Sequence, residues 1–455
     1  MRKYFGTDGI RRIANTELSP SLVFRVAKAG ASVLSKHTDH TPTIFIGRDT
    51  RISGTLIESA MIAGFLSYGA NVKTLGVIPT PAVAYLTKKY NADASVVISA
   101  SHNTFEFNGV KYFSNKGMKI PDSLEEEIEE IMDSDEKLSA LTAVAEGIGV
   151  SENAEDMIND YVDFIVGIFH GSIAKNNNDN FKVLIDTANG ATYKVADKIY
   201  TRLGIKHDII NNEPNGININ DNCGSTHLGM LKEKVVEGKY SLGIAYDGDG
   251  DRCLAVDENG NEINGDIMLA IAANYLKSKG TLAKDTLVAT VMSNLGLNKF
   301  SEKAEINFKQ TKVGDRYVLE EMLKNGYNLG GEQSGHIIYL DYNPTGDGIL
   351  TSLMLVQILL ETNQKPSEAS KVVKIYPQVL INAKVASDKK YDYEKDPEIK
   401  EAIEKLTSEF SGNGRVLIRP SGTEPLVRVM IEGEDQEMIS KKAREIADLI
   451  EKKLK

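Results

Sequence analysis

Three aspartates at alternate positions, Asp247, Asp249 and Asp251, lie in the run Asp247-Gly248-Asp249-Gly250-Asp251-Arg252, directly after the apolar stretch Leu242–Tyr246. Carboxylates at i, i+2 and i+4, separated by glycines that let the backbone curl, can converge on one hard divalent cation. Adjacent carboxylates repel unless a cation screens them, which disfavours a merely solvated acidic turn. An EF-hand loop competes on spacing, because Asp247, Asp249, Asp251 and Glu258 fall at its ligand positions. It fails because Arg252 stands where that loop needs its sharp-turn glycine, and because the preceding run reads as a strand. Magnesium usually takes a few carboxylates together with phosphate oxygens, so the missing ligand is a phosphate whose charge Arg252 would complement.

Three further loops carry chemistry. Ser99-Ala100-Ser101-His102-Asn103 follows the apolar run Ala94–Ile98, and a serine held at a strand end suits a nucleophile or a phosphate carrier. Ser, His and Asn are equally ordinary turn formers, and the G-x-S-x-G elbow of hydrolases is absent. In Gly330-Gly331-Glu332-Gln333-Ser334-Gly335-His336, the residues Glu332, Ser334 and His336 alternate. An extended backbone would place them on one face, where carboxylate, hydroxyl and imidazole suit the hydroxyls of a sugar; a structural hydrogen bond is an equal role for His336. Arg419-Pro420-Ser421-Gly422-Thr423-Glu424-Pro425 lies between two strand-like runs. Its guanidinium, hydroxyls and glycine-exposed N–H groups can enclose a phosphate, or form a rigid Pro-punctuated turn. No Walker A pattern is present.

The elements that must position these loops follow from pattern and length. A chain of 455 residues implies three or four domains at about 100–200 residues each. Strand–turn–helix starts recur at Thr43–Asp49, Lys182–Gly190 and Thr286–Asn294, a domain-sized period. Further strands are expected at Val72–Leu75, Ala94–Ile98 and Leu242–Ala245, with helices over Pro81–Tyr90 and Tyr193–Leu203. This alternation predicts three tandem α/β domains with mixed, mostly parallel sheets, whose ligands sit at the carboxyl ends of the strands. From about Lys371 the rhythm breaks into strand runs bracketed by helices, a smaller C-terminal α+β domain. The expected domains span residues 1–152, 153–255, 256–370 and 371–455. The charge-rich stretches Asp122–Lys137 and Tyr391–Lys405 read as solvated helix faces.

The formal charge of −11 argues against a nucleic-acid partner, which needs a basic face. Two cysteines, Cys223 and Cys253, are too few for a disulfide framework and read as small packing residues in a reducing compartment. The N-terminal residues carry no apolar stretch like a signal peptide, and no apolar run spans a bilayer. A soluble cytoplasmic protein without a membrane partner is expected.

Taken in order, FGTDGIR at Phe5–Arg11, SASHN at Ser99–Asn103, DGDGDR at Asp247–Arg252, GGEQSGH at Gly330–His336 and RPSGTEPLVRVM at Arg419–Met430 resemble the α-D-phosphohexomutase superfamily over nearly the whole chain. The FGTDGIR start, VGDRYV at Val313–Val318 and Gln333 are similar to its bacterial phosphoglucosamine mutase branch. The resemblance implies a four-domain, heart-shaped enzyme around a central cleft. It implies that Ser101 is carried as phosphoserine and holds one Mg²⁺ per chain with Asp247, Asp249 and Asp251. Lys111 falls at the family's general acid/base position, with His336 a second proton-transfer candidate and His102 in the same catalytic set. Arg11 and Arg252 would flank the transferring phosphoryl group, and Glu332 and Ser334 would grip sugar hydroxyls. Arg419, Ser421, Gly422, Thr423 and Arg428 would bind the phosphate that is not transferred.

The activity so implied interconverts glucosamine 6-phosphate and glucosamine 1-phosphate through a sugar 1,6-bisphosphate, which also primes the enzyme, and supplies UDP-N-acetylglucosamine synthesis. A phosphoglucomutase or phosphomannomutase with the same mechanism is the alternative, and a magnesium phosphatase or a non-catalytic sugar-phosphate sensor are rivals of other classes. Close homologues suggest a homodimer. Two positions depart from the family pattern: Arg12 replaces a glycine and Thr104 a proline, both changes in allowed backbone geometry.

Overall fold

The computed structural model describes residues 3–6, 8–176, 180–421 and 424–455. It divides into two compact units, Met1–Met292 with Ile306–Val372, and Ser293–Glu305 with Val373–Lys455. The first unit holds three mixed sheets and the second one antiparallel sheet.

Each mixed sheet is built around one of the recurring strand–turn–helix starts. Thr43–Arg48 pairs in parallel with both Asn71–Val77 and Ala94–Ile98. Lys182–Asp186 lies in parallel between Lys206–Ile210 and Leu242–Tyr246, and Thr286–Thr290 between Asn307–Thr311 and Leu329–Gly331. Ala94–Ile98 and Leu242–Tyr246 are buried at every position, as strands covered on both faces must be. Antiparallel strands then extend each sheet: Phe107–Ser114 and Ile10–Ile13 in the first, Cys253–Asp257 and Glu262–Ile263 in the second, Ile337–Tyr339 in the third. Ile10, Ile44, Ile46, Val96, Ile98 and Val110 pack with Val26 and Phe65 of flanking helices in the first core.

In the second unit, Leu426–Gly433 lies between Gln378–Lys384 and Gly414–Pro420, antiparallel to both. Val427, Val429 and Ile431 alternate onto one face and pack on Ile439, Ala443, Ile446 and Ile450 of the closing helix Gln436–Leu454. Both cysteines are buried and unpaired. Among the described residues, no helix is long and apolar enough to cross a membrane.

Several expectations need correction. The first two sheets run past residues 152 and 255, to Asn153 and Ile263, because edge strands continue the pairing. Gly330 and Gly331 belong to a strand rather than to the loop after it. Asp122–Lys137 is not a wholly solvated face, since Glu125 and Glu129 are buried. The Glu129 carboxylate accepts the backbone N–H groups of Lys3, Tyr4 and Phe5 at 2.6, 2.6 and 2.7 Å. It thereby anchors the segment that leads to Asp8 and Arg11.

Losing those charge-assisted bonds in Glu129→Ala should destabilise the protein by about 3 kcal/mol, read as a lowered urea midpoint. Glu130→Ala, on the exposed side of the same helix, should leave the midpoint in place.

Candidate active site

Ser101 stands one turn beyond the carboxyl end of strand Ala94–Ile98, buried, with its backbone at φ +51. A left-handed conformation is costly for a residue with a Cβ, about 1–2 kcal/mol, so surrounding bonds must impose it. The Ser101 N–H donates to Ser99 Oγ at 2.9 Å, and Ser99 Oγ donates to Asp49 Oδ2 at 2.6 Å. Arg51, fully buried, pairs with Asp49 Oδ2 at 2.8 Å through Nε. Its Nη2 donates to the carbonyls of Ser101 and Asn103 at 3.0 and 2.8 Å, and its Nη1 to those of Thr104 and Phe107. Motif reading missed Asp49 and Arg51, which carry no recognisable spacing and act on a loop some fifty residues away.

The Ser101 hydroxyl donates to Asp247 Oδ2 at 2.7 Å. One ligand oxygen from each of Asp247, Asp249 and Asp251 lies within 4.8 Å of the others. Gly250 at φ +72 makes the curl possible, and at Gly248 a Cβ would meet the Ser101 carbonyl at 2.6 Å. Burial, with the Asp251 and Asp249 carboxylates alongside, pushes the Asp247 carboxyl well above its usual range. Asp249 Oδ1 and Asp251 Oδ1 are buried without a hydrogen-bond partner. Hard, bare, mutually repelling oxygens fit a small divalent cation, so the residues suit a metal site.

Six groups of alternating charge close a ring beside this triad. Lys119 Nζ donates to Asp8 Oδ1 and, at 2.6 Å, to Asp315 Oδ2. His336 faces Asp315 Oδ2 from Nε2 at 3.3 Å and Asp251 Oδ2 from Nδ1 at 3.6 Å. Lys111 Nζ lies 3.8 Å from Asp251 Oδ2 and 3.1 Å from Asp8 Oδ2, and donates to Asp249 Oδ2 at 2.9 Å. Burial opposes both lysine charges, but the carboxylates outweigh it and raise both pKa values. For His336, burial likewise disfavours the cation while Asp251 and Asp315 raise its pKa. In neutral form its Nε2 accepts the Gly346 N–H at 3.0 Å, leaving the proton on Nδ1; protonation at Nε2 exchanges that bond for the Asp315 ion pair. Asp8, Lys119 and Asp315 were missed in the sequence, although Asp8 lies in FGTDGIR and Asp315 in VGDRYV.

Arg11 donates to Asp8 Oδ2 at 2.8 Å and to Asn103 Oδ1 at 3.1 Å. Arg252 donates from Nη1 to His102 Nδ1 at 3.1 Å, and that nitrogen is 3.4 Å from Ser101 Oγ. Burial together with Arg252 and Arg11 pushes the His102 pKa down to about 4, so its imidazole stays neutral. The structure thus brings Ser101, His102, Arg11, Lys111, Asp247, Asp249, Asp251, Arg252 and His336 together.

The expected alternation of Glu332, Ser334 and His336 does not occur. Gly335, at φ +90 with no room for a Cβ beside the Cys253 carbonyl, folds the segment into a turn closed by Glu332 N–H to His336 O at 2.9 Å. His336 turns into the ionic ring, whereas Glu332 Oε1 accepts the Gly314 N–H at 3.2 Å. Burial and the neighbouring Asp315 push the Glu332 carboxyl up. Ser334 Oγ is buried without a partner.

The remaining candidates belong to the second unit. Arg419 and Arg428 face one another across the antiparallel pair, and burial with the Arg428 charge lowers the Arg419 pKa. Arg428 Nε is buried without a hydrogen-bond partner. Ser421 Oγ accepts the Glu424 N–H at 3.3 Å, and Lys390 Nζ donates to the Ser421 carbonyl at 3.1 Å. Two guanidiniums forced side by side suit an anion. Gly422 and Thr423 lie outside the described residues.

Known proteins match the chain from end to end. Residues 2–139, 159–260 and 264–376 match the α/β/α domains I, II and III of phosphoglucomutase/phosphomannomutase, and residues 380–449 its C-terminal domain. Proteins named phosphoglucosamine mutase from Ruminiclostridium cellulolyticum and Clostridium botulinum are 52% and 54% identical to this chain, each over 100% of both sequences. A phosphoglucomutase/phosphomannomutase family protein from Burkholderia thailandensis shares the fold at a TM-score of 0.79 and 20% identity, over 99% of this chain and 98% of its own. N-acetylphosphoglucosamine mutase from Aspergillus fumigatus, solved with GlcNAc-6P and magnesium, matches at a TM-score of 0.68 and 17% identity, over 100% and 96%. The chain therefore belongs to the phosphoglucomutase/phosphomannomutase family, on its phosphoglucosamine mutase branch.

Proposed function

We propose that the chain interconverts glucosamine 6-phosphate and glucosamine 1-phosphate, with Ser101 as the phosphoryl carrier. The observation that supports this best is Ser101 Oγ at 2.7 Å from Asp247 Oδ2, beside two carboxylate oxygens that lack hydrogen-bond partners, in a chain more than half identical to phosphoglucosamine mutases over its full length. One Mg²⁺, held by Asp247, Asp249, Asp251 and a Ser101 phosphate oxygen, would supply charge neutralisation.

In the forward half-reaction the bond from phosphorus to Ser101 Oγ breaks and a bond to sugar O1 forms, giving a 1,6-bisphosphate. After the sugar reorients, the 6-phosphoryl group returns to Ser101 Oγ and glucosamine 1-phosphate leaves. Such transfer needs mainly positioning and electrostatic stabilisation. Arg11 and Arg252 flank the serine and supply fixed positive charge. The neutral form of His336, between Asp251 and Asp315, takes the proton that sugar O1 loses, and Lys111, kept protonated by Asp249 and Asp8, gives one to sugar O6 as its phosphoryl group leaves. Glu332 and Ser334 offer an acceptor and an unsatisfied hydroxyl to the sugar. Arg419, Ser421, Gly422, Thr423 and Arg428 take the phosphate that stays in place. A sugar 1,6-bisphosphate primes an unphosphorylated enzyme by the same return step. The unpaired cysteines suit a reducing cytoplasm.

With magnesium and a trace of sugar 1,6-bisphosphate, ³¹P NMR should show glucosamine 6-phosphate converted to its 1-phosphate faster than glucose 6-phosphate. Preference for glucose would overturn the substrate, and inorganic phosphate as the main product would make the protein a phosphatase. Ser101→Ala should abolish turnover and remove the phosphoryl group from the intact mass; an active variant would refute the serine's role. Arg419→Ala should raise KM at least about tenfold with a smaller change in kcat, and an unaltered KM would remove Arg419 from the phosphate site.

A further inference from the structure

Ser101 is tied to the metal loop through its side chain, and that tie cannot last through the proposed cycle. The hydrogen bond from Ser101 Oγ to Asp247 Oδ2 at 2.7 Å needs the hydroxyl proton, which phosphorylation removes. The phosphoserine also brings negative charge of about −1.5 to −2 toward the same aspartates. Some contact indifferent to the state of Oγ must keep the serine backbone in register with Asp247, Asp249 and Asp251.

Asn220 supplies such a contact. It follows strand Lys206–Ile210 in the segment leading to Leu242–Tyr246, the strand that delivers the three aspartates. Its side chain is buried, and Nδ2 donates to the carbonyl of Ser101 at 2.8 Å and to that of Asn103 at 2.8 Å. Arg51 Nη2 donates to the same two carbonyls at 3.0 and 2.8 Å. Each carbonyl thus receives two N–H groups, matching its two lone pairs. The donors come from loops of different sheets: Arg51 follows strand Thr43–Arg48 of the sheet that carries the serine, Asn220 follows strand Lys206–Ile210 of the sheet that carries the metal loop. Asn220 is itself fixed, at φ +58 with its N–H on the Ala188 carbonyl at 2.9 Å. Gly248 of the metal loop packs against the same junction, where a Cβ would meet Asn220 Nδ2 at 2.7 Å and the Ser101 carbonyl at 2.6 Å.

We propose that Asn220 is a positioning residue for phosphoryl transfer, holding the Ser101 backbone against the metal loop in both the free and the phosphorylated states. The proposal rests on the phosphoserine reading above. Arg51 reaches the serine loop from a turn whose neighbours Thr50 and Ile52 bond the Asn189 and Gly216 carbonyls, so its link to the metal loop's sheet is indirect, whereas Asn220 bonds the Ser101 carbonyl itself from a loop of that sheet. Both hydrogens of Asn220 Nδ2 are taken by backbone carbonyls, so its loss should slow transfer and spare substrate binding.

Asn220→Gly and Asn220→Asp test this. Both residues accept a left-handed backbone, and neither presents a side-chain N–H; aspartate also keeps the side-chain shape. Phosphorylated protein, verified by intact mass, is mixed with glucosamine 6-phosphate and Mg²⁺, and loss of phosphoserine is followed in a single turnover. Steady-state kcat, KM and the thermal midpoint are measured alongside. Both variants should transfer about 100-fold more slowly, as a misplaced reacting group does, with kcat falling equally and KM within about twofold of wild type. Asn222→Gly, at an exposed position of the same segment, should match wild type. A transfer rate within about threefold of wild type, or a KM that rises in step with the fall in kcat, would overturn the proposal. If wild-type phosphoprotein transfers nothing to the sugar, the serine reading fails and takes this proposal with it, a result visible without any variant.

Discussion

Charge balance is the constraint on which the rest of the site depends. Asp8, Asp247, Asp249, Asp251, Asp315 and Glu332 are gathered around Lys111, Lys119, Arg11, Arg252 and His336. Buried charges are tolerated only when paired, and removing one partner leaves another stranded. Alternation around the ring from Asp8 through Lys119, Asp315, His336, Asp251 and Lys111 meets that demand. The carboxylates remain in excess even with His336 protonated, and Asp247, outside the ring, bears the strain as a raised pKa. A divalent cation at the triad would remove the excess, and a phosphoryl group on Ser101, as proposed above, would restore it. In the second unit Arg419 and Arg428 oppose one another across the sheet, and Arg428 has a carboxylate neighbour in Glu424 at 3.5 Å.

The second constraint is backbone conformation. A serine at φ +51 is held because its loop is pinned from outside at four carbonyls by Arg51 and at two of them again by Asn220. The pinning bears on Thr104, one of the two positions that depart from the family pattern. Thr104 lacks the fixed φ of proline, but its carbonyl is bonded by Arg51 and its hydroxyl engages Glu106. Arg12 sits on the short edge strand Ile10–Ile13 opposite Asn108, and its Nη2 donates to the Lys3 carbonyl at 3.0 Å. A strand position does not demand the freedom of glycine.

Features whose cause is local in sequence were legible. The strands Ala94–Ile98 and Leu242–Tyr246 are continuous apolar runs, and the Asp triad converges because its spacing and glycines leave few alternatives. The strand pair that carries Arg419 and Arg428 was legible for the same reason. Glu332, Ser334 and His336 were misread because alternation counts residues without asking whether the backbone stays extended. Gly335 and its close approach to Cys253 decide that, and Cys253 is a partner from another part of the chain. Lys119 and Asp315, 196 residues apart, and Asn220 and Ser101, 119 apart, could not be paired from spacing at all. These residues bond other side chains or backbone carbonyls. Motifs therefore announced the groups proposed to meet phosphate, metal and sugar, while the groups that hold them in place became visible only once the sheets had set the distances.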